Sequence, residues 1–241
     1  QSVLYKKWDS MLKDKDLCMS DATCYESHLR YPTDIKLMWE CCEWLHKLLQ
    51  KTCREQGERL PRSKYNEVAK ARLAYAKQRK PKKSATRRMQ RRLLKLLGKL
   101  IGQWNCLCRL YAPVIHLSAE QDKRIMAIKE VHRQQTDHFN KKEVKHRIVS
   151  IDRHYVRPIV RGKETKSVEF GAKVNNIQID GISFIEHLSF KAFNEGTRLK
   201  QCVEYQESLT GVKVTRIGMD TIYANNENRK YCTERGITTN F

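Results

Sequence analysis

The chain has 241 residues, enough for one sizeable core or for one core carrying an insertion. Apolar residues make up 40% of it, which excludes global disorder, and no apolar run is long enough to span a bilayer. Forty-eight Lys and Arg stand against 27 Asp and Glu, a formal charge of +21 that repels itself in a compact state unless a polyanion neutralises it; nucleic acid is the usual such partner, with a membrane surface and the ribosome as competitors.

Residues 15–24 read as a short strand ending near Asp21. Arg30-Tyr31-Pro32-Thr33-Asp34 reads as a turn and a helix start, because Pro32 blocks continuation of the strand and Thr33 or Asp34 can cap the next helix. From residue 34 to about 140 the pattern is helical. Ile35, Met38, Trp39, Cys42, Leu45, Leu48 and Leu49 recur at helical spacing. Ser84 is the expected cap of a helix with one broad apolar stripe from Met89 to Tyr111, stopped by Pro113. Ser118 with Gln121 forms a capping-box pattern ahead of Ile125, Ile128 and Val131. After about residue 145 the period becomes alternating. Residues 168–174, 177–179 and 182–188 read as three strands, the last two joined by an Asp180-Gly181 hairpin turn. Residues 197–209 read as a helix, 212–219 as a strand ending at Asp220, and 226–235 as a helix ended by Gly236. The chain begins at Gln1 and closes on Ile237-Thr238-Thr239-Asn240-Phe241, which reads as the start of another strand; both ends are those expected of a piece of a longer reading frame.

Within the helical stretch, residues 61–92 hold thirteen Lys and Arg and the single acid Glu67. A solvated helix face normally mixes signs so that i,i+4 pairs form, and this one does not. We read Arg79, Lys80, Lys82, Lys83, Arg87, Arg88, Arg91 and Arg92 as a surface that tracks phosphates. Arg157, Arg161, Lys163 and Lys166 lead into the second half and either grip phosphate or face solvent. The nine cysteines are odd in number and include no CxxC pair, which points to reduced thiols in a cytoplasm; Cys106 and Cys108 find no partner with zinc-ligand spacing.

The order of elements is a strand ending at Asp21, a long helical insertion, a meander, a helix, a strand ending at Asp220, and a helix. That order matches a ribonuclease-H-like layout, an α/β fold whose mixed sheet carries a large all-helical insertion after its first strand. The core would comprise residues 1–33 and 145–241, incomplete at its C-terminus, and the basic helical insertion residues 34–144. Carboxylates at the ends of neighbouring strands can converge although distant in sequence. Cutting and joining DNA uses such convergence: two hard cations about 4 Å apart activate a water or 3′-hydroxyl and stabilise the leaving oxygen, and roughly three carboxylates hold them. From residue types alone Asp21 and Asp220 are not singled out, because 27 acids are available and an Asp at a strand end is commonly a turn or cap residue.

Asp21-Ala-Thr-Cys followed by Arg30-Tyr31-Pro32-Thr33-Asp34 resembles the first catalytic block of bacterial insertion-sequence DDE transposases. Val168-Glu169-Phe170-Gly171-Ala172-Lys173-Val174 resembles their Gly-x-Lys strand, and Met219-Asp220-Thr221-Ile222-Tyr223 with Asn228-Arg229-Lys230-Tyr231-Cys232 resembles the block with their second aspartate. The resemblance covers most of the chain from about residue 16, loosely in the helical insertion. It implies that Asp21 and Asp220 are metal-binding and catalytic, with Mg²⁺ or Mn²⁺, two ions in the complete site, as cofactor. It further implies double-stranded DNA at element ends and target as substrate, strand cleavage followed by strand transfer, homo-oligomeric assembly on DNA, and a bacterial cytoplasmic, nucleoid-associated location. Tyr223, Asn228 and Arg229 would then either contact DNA or pack the helix after Asp220. The family's third carboxylate is a Glu on a helix beyond the next strand; Glu227 and Glu234 lie too close to Asp220 to be it, so this chain alone is expected to be inactive or impaired. Three rivals stay open: a non-catalytic nucleic-acid-binding remnant, a hydrolytic nuclease of the same fold, and a basic scaffold for folded RNA.

Overall fold

The structure, a computed structural model, describes residues 1–29, 32–112, 114–160 and 168–241. Arg30, Tyr31, Pro113, Arg161, Lys163 and Lys166 lie outside the described residues. Contacts divide the chain into two units, Gln1–His28 with Pro158–Phe241, and Leu29–Arg157. The division falls later than residue 144 because Ile148 and Ile151 pack into the helical core.

The first unit is built on a mixed sheet. Its strands are β1 (Leu17–Glu26), β2 (Arg157–Val160), β3 (Val168–Ile179), β4 (Ile182–Ser189), β5 (Arg216–Met219) and β6 (Thr238–Thr239). They run in the order β2-β3-β1-β5-β6, with β4 also pairing β3. β3 is antiparallel to β1 and to β4, whereas β5 is parallel to β1 and to β6. Parallel neighbours need crossovers, and α6 (Leu199–Thr210) and α7 (Asn226–Arg235) lie in the segments that supply them. α1 (Ser2–Trp8) precedes the sheet. Residues of period two along β1 and β3, Cys18, Ile177 and Ile179, meet Leu199, Cys202 and Val203 of α6 in one apolar cluster with Phe184, Val214 and Ile217.

Two strand expectations are corrected. β1 does not end near Asp21 but runs to Glu26, because β3 continues to pair with it after β5 has stopped: Glu26 still faces Gly171. Residues 168–179 form one strand, not two; a register irregularity against β4 at Asn175/Asn176 absorbs the polar pair that reads as a break. The fourth strand of this half is also shorter than residues 212–219, starting only at Arg216.

The second unit is helical. α2 (Asp34–Glu55) starts as expected, with Thr33 Oγ1 accepting from the Lys36 amide at 3.3 Å. α3 (Tyr65–Ala76) and α4 (Lys83–Leu110) come next, then α5 (Ala119–Phe139), whose Ser118–Gln121 capping box forms with both bonds at 3.2 and 2.9 Å. Ser84 does not cap α4; the helix starts at Lys83, one residue earlier, and Thr86 near its start bonds Tyr75 Oη of α3 at 2.9 Å. Met89, Leu93, Leu96, Leu97, Leu100, Trp104 and Leu107 are the buried stripe of α4, and they close a core with Met38, Leu45 and Leu49 of α2 and Ile125, Ile128 and Val131 of α5.

One carboxylate ties this unit together. Asp34 Oδ1 accepts from the Arg147 guanidinium and from Gln135 Nε2 at 3.1 Å, and Oδ2 accepts from Gln90 Nε2 at 3.5 Å with His138 Nε2 3.6 Å away. α2, α4, α5 and the segment after α5 therefore meet on one side chain at the N-terminal end of a helix, where negative charge is favoured. Asp34→Ala is expected to lower the stability of this unit by about 2 kcal/mol, the usual worth of a charged hydrogen bond. Urea unfolding followed by tryptophan fluorescence measures it, since Trp39, Trp44 and Trp104 report from this unit. An unchanged midpoint would show that the network adds nothing.

Candidate functional site

The parallel ladder pairs Leu17, Cys18, Met19 and Ser20 with Arg216, Ile217, Gly218 and Met219. The residue that follows the last pair on each side is an aspartate, Asp21 within β1 and Asp220 just beyond the end of β5. Both are exposed. Asp21 lies within β1, opposite Asn176 of β3, on the strand face shared by the exposed Met19. Asp220 leaves β5 and turns the chain: its Oδ1 accepts from the Thr221 amide at 2.6 Å and the Thr221 hydroxyl at 3.2 Å. The turn occupies Oδ1 and none of its bonds falls on Oδ2.

A buried polar network underlies this pair. Tyr223, 1% exposed, donates from Oη to Asn175 Oδ1 at 3.0 Å and lies 3.2 Å from Ser20 Oγ. Asn175, wholly buried in β3, donates to Glu186 Oε2 at 2.9 Å and to Cys202 Sγ at 3.1 Å. Glu186 is in turn held by the Arg198 guanidinium, with Nε 2.9 Å from Oε2 and Nη2 on Oε1. Burial raises the Tyr223 hydroxyl well above its ordinary pKa, with the charge of Asp21 a lesser cause, and pushes the Cys202 thiol up to about 11. Burial thus favours the neutral form of both groups.

The backbone after Asp220 is clamped as well. Asn228 Nδ2 donates to the carbonyls of Gly196 (2.7 Å) and Tyr223 (2.8 Å), and Asn225 Nδ2 donates to Gly196 at 2.9 Å. Gly196 admits this approach because a Cβ there would sit 2.3 Å from the Ile222 carbonyl oxygen. Asn240 brackets Met219, accepting from its amide at 3.1 Å and donating to its carbonyl at 3.0 Å. Of the two roles weighed for Tyr223 and Asn228, the structure supports packing: both are buried and spent within the chain, whereas Arg229 is exposed.

The Gly-x-Lys strand has structural work of its own. A Cβ on Gly171 would lie 2.0 Å from the Tyr25 carbonyl oxygen, so glycine lets β1 and β3 close up. Lys173 Nζ meets the Glu195 carboxylate and the Phe193 carbonyl, each at 2.9 Å. His187 packs edge-on against Phe193 at 4.9 Å. Among the described residues no three His, Cys, Asp or Glu stand together as a metal-holding group. Ser20, Asn175, Glu186, Arg198, Gly196 and Asn240 belong to the site's support, and only the hydrogen-bond geometry identifies them.

In the helical unit all eight expected phosphate-tracking residues, Arg79, Lys80, Lys82, Lys83, Arg87, Arg88, Arg91 and Arg92, are exposed. α4 contains eight Lys and Arg and no acid, so no i,i+4 ion pair can form along it. Elsewhere such pairs are present, as in Lys47–Glu43 at 3.2 Å and Lys200–Glu204 at 3.8 Å. Arg87 and Arg91 lie over the Phe139 ring at 4.8 and 5.8 Å. Arg157, by contrast, is half-buried and donates to the carbonyls of His154 and Val156.

What fixes β5 beside β1 is Asp16. Its carboxylate accepts from Arg216 Nε and Nη2 at 3.0 and 2.9 Å and from Thr215 Oγ1 at 2.6 Å, and its carbonyl accepts from the Thr215 and Arg216 amides. The Arg216 bond first, then Thr215, hold the carboxyl far below the usual carboxylate range. A depressed folded-state pKa stabilises above the unfolded value near about 3.9, and the contribution fades as pH falls through the folded value. Asp16→Asn should therefore melt below the wild type at pH 7, with the gap closing as pH drops below about 4. A gap of equal size at pH 7 and pH 3 contradicts this.

No family model, curated protein or solved structure matches the chain. Among the described residues no helix is long and apolar enough to cross a membrane.

Proposed function

We propose that this chain carries the catalytic core of a metal-dependent DNA strand-cutting and strand-joining protein of the DDE transposase type, on a ribonuclease-H-like fold. The strand order β4-β3-β1-β5-β6, antiparallel on one side of β1 and parallel on the other, supports that fold. The observation that carries the reading is that Asp21 and Asp220 directly follow Ser20 and Met219, the last paired residues of the β1–β5 ladder, although they come from opposite ends of the chain.

Exposed carboxylates such as Asp21 and Asp220 are the hard oxygen donors that Mg²⁺ or Mn²⁺ takes, with water and phosphate filling the rest of the shell. The donor set fits one ion; two ions ask for roughly three carboxylates. When bound, the cation supplies charge neutralisation at the scissile phosphate and a lowered pKa for the attacking water or 3′-hydroxyl. The chain's own part is positional. Asp21 and Asp220 would hold the ion, Thr221 fixes the Asp220 rotamer through Oδ1, and the Ser20–Tyr223–Asn175 network keeps the two backbones from drifting apart. The cations of residues 79–92 hold DNA by its phosphates.

The test is a Mn²⁺ titration of the purified chain, with free Mn²⁺ read by electron paramagnetic resonance. One site is expected, lost in Asp21→Asn and in Asp220→Asn while circular dichroism is unchanged. Equal binding by all three proteins would remove the metal-site reading. The acid-free α4 favours a second reading, a non-catalytic nucleic-acid binder, which predicts DNA binding indifferent to divalent metal and to Asp21.

A further inference from the structure

α3 and α4 enclose a cleft of about 340 Å³ whose charge is one-sided. Its floor is Val68 and Leu96, both buried. Its rim carries Lys64, Arg92, Lys95 and Lys99 and the one acid Glu67, which lies 3.9 Å from Lys64. Arg92, Lys95 and Lys99 have no carboxylate of their own in the cleft. They sit at i, i+3 and i+7 on α4, so they share a face over roughly 10 Å of helix. Successive phosphates of a duplex strand are about 7 Å apart along the backbone, so a row of that length spans about two.

We propose that this cleft is a seat for the phosphodiester backbone of duplex DNA, with Lys95 and Lys99 as phosphate contacts beyond the 79–92 stretch. The inference rests on the nucleic-acid part of the function proposed above. Duplex is favoured over single strand by what the cleft lacks and its neighbours spend. Single-strand sites combine cations with aromatic faces on which bases stack. Among the described residues no aromatic lines this cleft. Tyr65, the aromatic nearest Lys64 in sequence, is stacked on Trp39 at 5.3 Å and on His46 at 3.8 Å, and Arg72 covers Trp39 at 5.4 Å. A lipid surface is disfavoured because the rim offers Lys and Arg and, among the described residues, no exposed apolar side chain to insert.

The experiment is fluorescence anisotropy of the full chain with a labelled duplex and with the matching single strand, over a salt series. Lys95→Ala/Lys99→Ala should weaken duplex binding and lower the slope of log K against log salt by about two, near one for each phosphate that is no longer neutralised. Lys95→Arg/Lys99→Arg should keep the wild-type slope. Lys47→Ala/Lys51→Ala removes the same charge from lysines already paired with Glu43 and Glu55, and should leave the slope unchanged. An unaltered slope in the Lys95/Lys99 alanine variant overturns the proposal. So does an equal fall in both alanine variants, tighter binding to the single strand, or tighter binding to anionic vesicles. If the wild type binds duplex but the slope does not move, the cleft alone is wrong; if the wild type binds no DNA, the nucleic-acid reading falls with it.

Discussion

Four residue pairs of parallel ladder join β1 to β5, and between those two strands the chain makes the whole helical unit and most of the sheet. Closing a loop of that length costs entropy that grows slowly with length, so what matters is how firmly the closure is held. It is held from both ends. At the start, Asp16 binds both the side chain and the backbone of Thr215 and Arg216. At the finish, Asn240 hydrogen-bonds Met219 as a neighbouring strand would. Register is set by these anchors. A shift of one residue would move Ser20 off the core face and separate Asp21 from Asp220.

Polar residues, not apolar ones, fill the core directly beneath that pair. Ser20, Asn175, Tyr223, Cys202 and Glu186 would each be costly to bury alone. Here each donor finds an acceptor, and the one charge among them, Glu186, with a side chain 4% exposed, is met by Arg198 and Asn175 together. An apolar core of the same volume would be as stable or more so. What the polar version adds is direction: a hydrogen-bonded Tyr223 can sit in one place only, and the backbone of Asp220, three residues before it, is fixed accordingly. The Tyr223 carbonyl is also the acceptor for Asn228, so the turn and α7 are set by the same residue.

Elements with strong local signals were legible in the sequence. The Ser118–Gln121 box, the Thr33 cap, the apolar stripe of α4 and the Asp180-Gly181 hairpin are all short-range patterns, and all are present as read. The misreadings occur where a distant partner decides. Asn175-Asn176 looks like a strand break by residue type, yet β1 and β4 on either side hold it in the sheet. β1 outlasts Asp21 only because β3 is long enough to accompany it. For Tyr223 and Asn228 the sequence leaves DNA contact and packing both open, because nothing within their motif reveals that Asn175 and Gly196 await them. The two aspartates are singled out only by a resemblance in blocks; their places just after Ser20 and Met219 depend on the ladder, and its anchors Asp16 and Asn240 carry no motif.

The basic helix poses a separate question of cost. Along α4, Lys83, Arg87, Arg91, Lys95 and Lys99 succeed one another at i,i+4, and Arg88 faces Arg92 in the same way. Like charges at that spacing cost a few tenths of a kcal/mol each, roughly 1–2 kcal/mol for the set. Stacking of Arg87 and Arg91 on Phe139 offsets part of this. The buried stripe supplies the rest with room to spare, since each of Leu93, Leu97 and Leu100 is fully buried and worth about 2 kcal/mol. Folding therefore tolerates the charge but gains nothing from it. A single Glu placed at i,i+4 to one of these residues would relieve the repulsion and improve the helix, and in 28 residues there is none. A charge pattern that folding would improve by breaking is not explained by folding, and its single sign is the property that supports the polyanion partner proposed above.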